Sequence, residues 1–272
     1  MDSMGMSLGE RMKQYEGASE THLKDKMPVV IRLDGRAFHT FTRNFHKPFD
    51  EIFSETMCET MLYLCRNIAH CILGYTQSDE ITLVLADYET DVSRPWLDNR
   101  LQKLCSISAS MATAVFNRIF EAKVNSRLNR LTQYKSGYIS QKTGEIELAT
   151  FDSRCFNLPD FEVVNCLIWR QSDAIRNSVA AMAQSIFSRS ELHKKGVAEM
   201  REMIREKTGV AWESIPVGYQ RGFCAVRKVV PVQTQNGVID RKKWVLDDNI
   251  PLFDKERSYI TGLMPGLPVG IE

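Results

Sequence analysis

The sequence predicts an α+β fold, a sheet with helices packed on one face. Two kinds of segment carry this expectation: β-branched runs at Val29 to Leu33 and Ile81 to Leu85 that read as strands, and two long amphipathic stripes that read as helices. Their approximate order through the first half, strand, helix, strand, helix, strand, belongs to that class. At 272 residues and 43% apolar content, the chain is long enough to bury a core as one large domain or as a domain with a sizeable extension.

Pro28 precedes the first strand, which ends at Asp34-Gly35, a tight backbone feature. From Asp50 onward, Phe53, Met57, Met61, Leu64, Ile68 and Ile72 recur at three- and four-residue steps. That spacing predicts a helix stopped by Gly74, with Tyr75 to Ser78 leading into the strand Ile81 to Leu85. A second helix is expected after Pro95, with Leu101, Leu104, Ser108, Met111, Val115 and Ile119 on one face. Its small residues Ser106, Ser108, Ala109, Ser110 and Ala112 suit close packing. Strand-like material from Glu145 to Phe151 ends at Asp152-Ser153-Arg154.

Beyond Leu158-Pro159 a long helix is expected from Asp160 to Phe187. Ser188-Arg189-Ser190-Glu191 has the capping-box form for another short one, and a third runs from Val197 to Lys207 and stops at Gly209. Gly222 to Val232 and Val238 to Leu246 then flank Gln235-Asn236-Gly237, where Asn-Gly signals a hairpin. The chain divides softly near residue 159, into a catalytic part, 1–158, and a helical and hairpin part, 159–272, packed as one unit.

Bulk properties exclude several classes. No apolar run approaches the roughly 18 residues of a membrane-spanning helix, and Met1 to Glu16 lacks the apolar centre of a signal peptide, so a cytoplasmic, membrane-free protein is expected. The seven cysteines, at 58, 65, 71, 105, 155, 166 and 224, form no C-x-x-C pair, which points to reduced, mostly structural thiols and away from zinc. A net charge of +1 gives no global footprint for nucleic acid. Any such surface is local: Arg118 to Lys135, with Lys123, Arg127, Arg130 and Lys135, or the smaller Lys194-Lys195 and Arg241-Lys242-Lys243, each of which also fits an ordinary solvated face.

The chemistry lies in two acidic stretches, Ile31-Arg32-Leu33-Asp34-Gly35-Arg36-Ala37-Phe38-His39 and Gln77-Ser78-Asp79-Glu80. Each sets a carboxylate beside a strand. Phosphoryl transfer is catalysed mostly by positioning and charge neutralisation, and two carboxylates on adjacent strands can bridge two Mg2+ ions that clamp the attacking and leaving oxygens. Asp34 and Asp79, with the Gly35 carbonyl, suffice as protein ligands because Mg2+ keeps water and phosphate oxygens in its shell. Gly35 permits a sharp turn, leaving Arg36 to His39 to offer backbone N–H groups to a triphosphate. No P-loop or Rossmann glycine pattern is present. Asp-Gly and Ser-Asp-Glu are also routine turn chemistry, and His39 and His46 fit either a ligand contact or a structural imidazole.

Read together, these stretches resemble the tRNA-histidine guanylyltransferase family, including its reverse-polymerase branch. The resemblance extends through Phe45-His46-Lys47-Pro48-Phe49-Asp50, Tyr75 to Glu80, Arg100 with Lys103, Phe151-Asp152-Ser153-Arg154 and Trp169-Arg170-Gln171-Ser172-Asp173, covering residues 10 to 230 or so. It implies a polymerase-palm-like (ferredoxin-like) antiparallel sheet and 3′-to-5′ addition of nucleotides to tRNA 5′ ends. ATP would activate a 5′-monophosphate, and the 3′-hydroxyl of GTP would then attack the activated phosphate. By position, Asp34, Gly35 and Asp79 would hold Mg2+; Arg36, Ala37, Phe38, His39 and Ser78 would cradle a nucleotide; Lys47, Asp50, Arg100 and Lys103 would form a secondary phosphate-handling set; and Glu80 would ligate metal or shape the site. The resemblance also implies a homotetramer that takes the tRNA acceptor stem.

One segment departs from the family. Where eukaryotic members acting on tRNA-histidine carry His-Ile-Asn-Asn, this chain has Ile175-Arg176-Asn177-Ser178, and only Asn177 keeps the pattern. The expectation is therefore template-directed repair of tRNA 5′ ends ahead of dedicated G addition to tRNA-histidine. A nucleotide cyclase, which would consume GTP without RNA, and a non-catalytic RNA- or NTP-binding module are the competing classes.

Overall fold

The computed structural model describes residues 6–88, 92–128, 138–139, 144–234 and 237–266. Six strands, β1 (Val29–Gly35), β2 (Cys71–Gln77), β3 (Glu80–Leu85), β4 (Phe151–Asn157), β5 (Phe223–Thr234) and β6 (Gly237–Asp247), form one sheet in the order β4-β1-β3-β2-β5-β6. Every neighbouring pair is antiparallel. The helices are α1 (Leu8–Gly17), α2 (Phe38–Phe41), α3 (Glu51–Asn67), α4 (Leu101–Leu128), α5 (Asp160–Ile186), α6 (Val197–Thr208), α7 (Val217–Arg221) and α8 (Ser258–Thr261). Through β4 the main elements run β1-α3-β2-β3-α4-β4, the ferredoxin-like connectivity. The strands β5 and β6, from beyond residue 159, extend the same sheet.

Strand alternation divides the core. Val29, Ile31 and Leu33 of β1, with Ile81, Leu83 and Leu85 of β3, pack into a cluster with Met57, Met61 and Leu64 of α3 and Leu104, Phe116 and Phe120 of α4. Leu73, Tyr75 and Val84 face the other way and meet Val163, Val164 and Leu167 of α5. Helices therefore cover both faces, where the sequence led us to expect one: the helix after Pro159 is long enough to lie across the sheet.

Several elements differ from expectation. The helix expected from Asp50, α3, ends at Asn67, Ile68 is already extended (φ −96°, ψ 120°), and His70 turns the chain at φ 60° into β2. Gly74 is thus a strand residue. A Cβ there would sit 2.5 Å from Cys65 Sγ and 2.9 Å from Met61 Cγ, so its bare backbone lets α3 lie close on β2. The strand expected over Glu145 to Phe151 instead begins at Phe151 and continues to Asn157. Ser188 to Glu191 makes the expected cap, with the Ser188 N–H donating to Glu191 Oε2 at 2.8 Å, but the chain continues as turns.

The buried face of α4 is Leu104, Ser108, Ala112, Val115, Phe116, Phe120 and Val124, rotated from the expected stripe so that Met111 and Ile119 lie half-buried. Ser108 and Ala112 bring it onto β4, where the Ser108 and Ser153 hydroxyls lie 2.8 Å apart. The β5–β6 hairpin forms as expected, its Gln235 and Asn236 lying outside the described residues, and Arg241, Lys242 and Lys243 are exposed along it.

Candidate active site

The strand β1 delivers Asp34 to one end of the sheet. There the Gly35 N–H donates to the Asp79 carbonyl at 3.0 Å and the Arg36 N–H to the Thr150 carbonyl at 2.9 Å, which joins the end of β1 to the β2–β3 turn. A Cβ on Gly35 would fall on the Phe38 ring, so the position is closed to larger residues. Ala37, at φ 57°, turns the chain into α2. Phe38 points inward to an aromatic cluster, 5.1 Å from Phe151 and 5.6 Å from Phe116, while Arg36, Ala37 and His39 are exposed. Of the residues expected to cradle a nucleotide, Phe38 is buried and anchors the turn by its side chain.

Asp34 lies directly across from Glu80 on β3 and from Asp152 on β4, on one face of the sheet. Asp79 follows Ser78, which holds φ 50° in the turn. Burial raises the Asp79 carboxyl above the usual carboxylate range, and the Asp34 charge raises it further against the opposing hydrogen bond from Ser78. A buried carboxylate that feels the charge of a neighbouring one suits a divalent cation, which would balance the two. Among the described residues no cluster of three or more His, Cys, Asp or Glu converges, so an ion held by these two carboxylates would need carbonyl, water or phosphate oxygens as well, a donor set that Mg2+ accepts.

Glu80 is otherwise engaged. Arg170 on α5 donates through Nε to Glu80 Oε1 and through Nη2 to Glu80 Oε2, both at 2.7 Å, with both side chains buried. Its Nη1 donates to Asp173 at 2.7 Å. Arg154, opposite Arg32 in the β1–β4 register, stands 4.0 Å from Asp34 and 3.6 Å from Asp152, too far for a hydrogen bond to either.

Beside Ser78, on the β2 and β5 side, lies a cavity of about 230 Å³. Its polar lining includes His46, Lys47, Asp50, Gln77 and Asn177, and its walls are aromatic, with Phe49 and Tyr219 stacked at 4.9 Å. Lys47 donates to the Thr42 carbonyl at 3.0 Å. Asp50 caps α3: its carboxylate accepts from the Phe53 N–H at 2.9 Å, the His46 N–H at 3.0 Å and the Tyr138 hydroxyl at 2.6 Å. Those bonds order the loop between His46 and Asp50.

Arg100 and Lys103 stand apart. Arg100 pairs with Glu20 at 3.0 Å at the start of α4, while Thr113 on that helix accepts from the Phe151 N–H beside the carboxylates. At ~1.5 Å per residue, the two points are about 20 Å apart along the helix. Lys123 pairs with Glu55 and Glu59 at 2.8 and 2.7 Å, and Arg127 with Glu51 and Glu55 at 3.0 and 2.9 Å, so the best basic cluster is internally neutralised; Arg130 and Lys135 lie outside the described residues. The cavity and the Glu80–Arg170 pair carry no local sequence signal, because both join segments far apart in the chain.

A family model described as Thg1: tRNAHis guanylyltransferase matches residues 9–159, which span β1 to β4 and both carboxylates. The chain belongs to the Thg1 family. It is thus a tRNA guanylyltransferase of the nucleotidyltransferase class. An uncharacterized protein of Acanthamoeba polyphaga mimivirus is 30% identical, over 93% of this chain and 86% of its own. The tRNA(His) guanylyltransferase of Schizosaccharomyces pombe is 26% identical, over 89% and 91%. A bacterial Thg1-like protein solved in complex with ATP is 35% identical, with a TM-score of 0.80 over 95% of this chain and 99% of that one; solved with GTP, it superposes with a TM-score of 0.74.

Proposed function

We propose that this Thg1-family chain adds guanylate in the 3′-to-5′ direction to tRNA 5′ ends, with Asp34, Asp79 and the Gly35 carbonyl as ligands for Mg2+. The observation that carries the reading is the junction of β1 with the β2–β3 turn, which sets Asp34 beside an Asp79 whose charge the fold disfavours. When bound, Mg2+ supplies charge neutralisation at the phosphates and lowers the barrier to displacement. The chain itself positions the partners. The Arg36 to His39 turn and Ser78 hold a triphosphate, and Lys47 at the cavity mouth adds a cation to it. Asp50 acts through the loop it orders, and Glu80 through the strand that it and Arg170 fix opposite Asp34. GTP and ATP fit this site by analogy with the bacterial relative's two complexes.

Tetramer assembly is part of this reading. Arg100 and Lys103 lie too far along α4 to reach the carboxylates of their own chain, so a phosphate-handling role would require a second copy.

For the acceptor, the comparisons favour tRNA-histidine and addition of G at position −1, because the similar proteins of known type carry that name. This reverses the order of preference drawn from residues 175–178. Template-directed repair stays as the second reading on one observation. Ile175 packs into the cluster around Val179 and Ile204, and Ser178 accepts from Trp212 Nε1 at 3.0 Å, so these positions pack where the eukaryotic pattern is polar; Asn177 alone offers a longer polar side chain to the cavity. The two readings separate on labelled GTP with ATP, Mg2+ and two 5′-monophosphorylated tRNAs, one an intact tRNA-histidine lacking its extra G and one 5′-truncated opposite a free C. Incorporation into tRNA-histidine regardless of the opposing base supports G addition. Preference for the truncated tRNA, lost on changing the opposing base, supports repair.

A further inference from the structure

Trp169 lies on α5 with 53% of its surface exposed, unlike Trp212, which is buried at 5%. It is held in place without being covered. The Arg170 guanidinium lies 4.5 Å from the indole centroid and is itself pinned by Glu80 and Asp173. The Arg32 guanidinium approaches to 5.4 Å and forms no ion pair with any described residue, so it can give way. Arg32 sits opposite Arg154 across the β1–β4 register and two residues before Asp34, on the same face of the sheet.

We propose that Trp169, with Arg32 and Arg154, is the stacking site for the 5′-terminal nucleotide of the acceptor RNA. The inference rests on the 5′-end transferase reading above. An exposed indole accepts the face of a base, and guanidiniums beside it accept phosphate oxygens. The strand order places this platform relative to the cavity. β4 and β1 carry Arg154 and Arg32 on one side of the Asp34–Asp79 pair, while Gly222 and Phe223, at the start of β5, line the cavity on the other. A nucleotide held at the cavity side and an RNA end stacked on Trp169 would thus meet at the carboxylates from opposite directions. A base settling on the indole displaces Arg32 toward the phosphate, and Arg154, loosely placed between Asp34 and Asp152, swings to the same phosphate.

The test is equilibrium binding of a fluorescent acceptor-stem hairpin to the full chain in Mg2+, comparing a 5′-monophosphorylated guanosine end with the same hairpin ending in an abasic residue. Stacking of one base predicts a preference of roughly 5- to 150-fold for the intact end. Trp169→Ala should erase that preference, Trp169→Phe should keep most of it, and GTP affinity should stay unchanged in both. Arg154→Ala should lower the slope of log Kd against log salt by about one for the 5′-monophosphate and not for a 5′-hydroxyl end. A wild-type preference that persists in Trp169→Ala, or in Trp169→Leu if the alanine variant does not fold, overturns the proposal. Because binding is read without turnover, failure to incorporate GTP into the same hairpin would count against guanylyl transfer and leave the preference ratio to judge the platform.

Discussion

Glu80 and Arg170 form a buried two-bonded ion pair that ties α5 to the strand residue facing Asp34, with both nitrogens 2.7 Å from the carboxylate oxygens. Removing one partner would strand the other charge, a loss of about 3–5 kcal/mol. Arg170→Ala should therefore lower stability to urea by that amount. The Glu80→Ala/Arg170→Ala double variant should lose less than the two single losses combined, since it leaves no uncompensated charge.

Asp79 should oppose folding in the metal-free protein. Its carboxyl titrates above the ordinary range when folded, so the native state takes up the proton first as pH falls; the ionised group weighs against the fold at neutral pH. Asp79→Asn is expected to raise the Tm of the metal-free chain and to abolish the further rise that Mg2+ with GTP gives the wild type. A thermal-shift series with and without both ligands reads the two effects.

Gly35→Ala should damage both fold and site, because its methyl would enter the Phe38 ring and push against the packed Phe53, Phe116 and Phe151. Overpacking of this kind costs about 1–3 kcal/mol. A lower denaturation midpoint together with weakened GTP binding is the expected pair of results.

The Lys123 and Arg127 cations are already matched by Glu51, Glu55 and Glu59. Replacing both with alanine should cost little stability, since partly exposed pairs each contribute about 1 kcal/mol or less. The salt dependence of tRNA binding should not change. A flatter slope in the double variant would show that these side chains leave their carboxylates for phosphate.

Much of this site was legible in the sequence because its parts are local. Asp34-Gly35 at a strand end and Ser78-Asp79 before a strand need only short-range signals, and the joint motif pattern supplied the family. The strand β2 was hidden by its burial: its Ile72 continued the helical spacing of Leu64 and Ile68, and the turn into it uses His70 at positive φ, where no Gly or Asn advertises it. Gly74 then looked like a helix stop, although its role is to admit Cys65 and Met61. The buried face of α4 differs from the expected stripe because small Ala112 lies wholly inside, together with Phe116 and Phe120, while Met111 and Ile119 do not. The placement of Arg100 far from the carboxylates, and of α5 across the second sheet face, depends on tertiary packing that no local pattern carries.

The most direct measurement is incorporation of labelled GTP, in the presence of ATP, into 5′-monophosphorylated tRNA-histidine lacking its extra G, by the wild type and by Asp34→Asn and Asp79→Asn, with Mg2+ and with a chelator. We expect a one-nucleotide 5′ extension by the wild type with Mg2+ and none with the chelator, and none by either folded variant. Extension by Asp34→Asn or Asp79→Asn at the wild-type rate would contradict the assignment of these two carboxylates as the centre of the reaction.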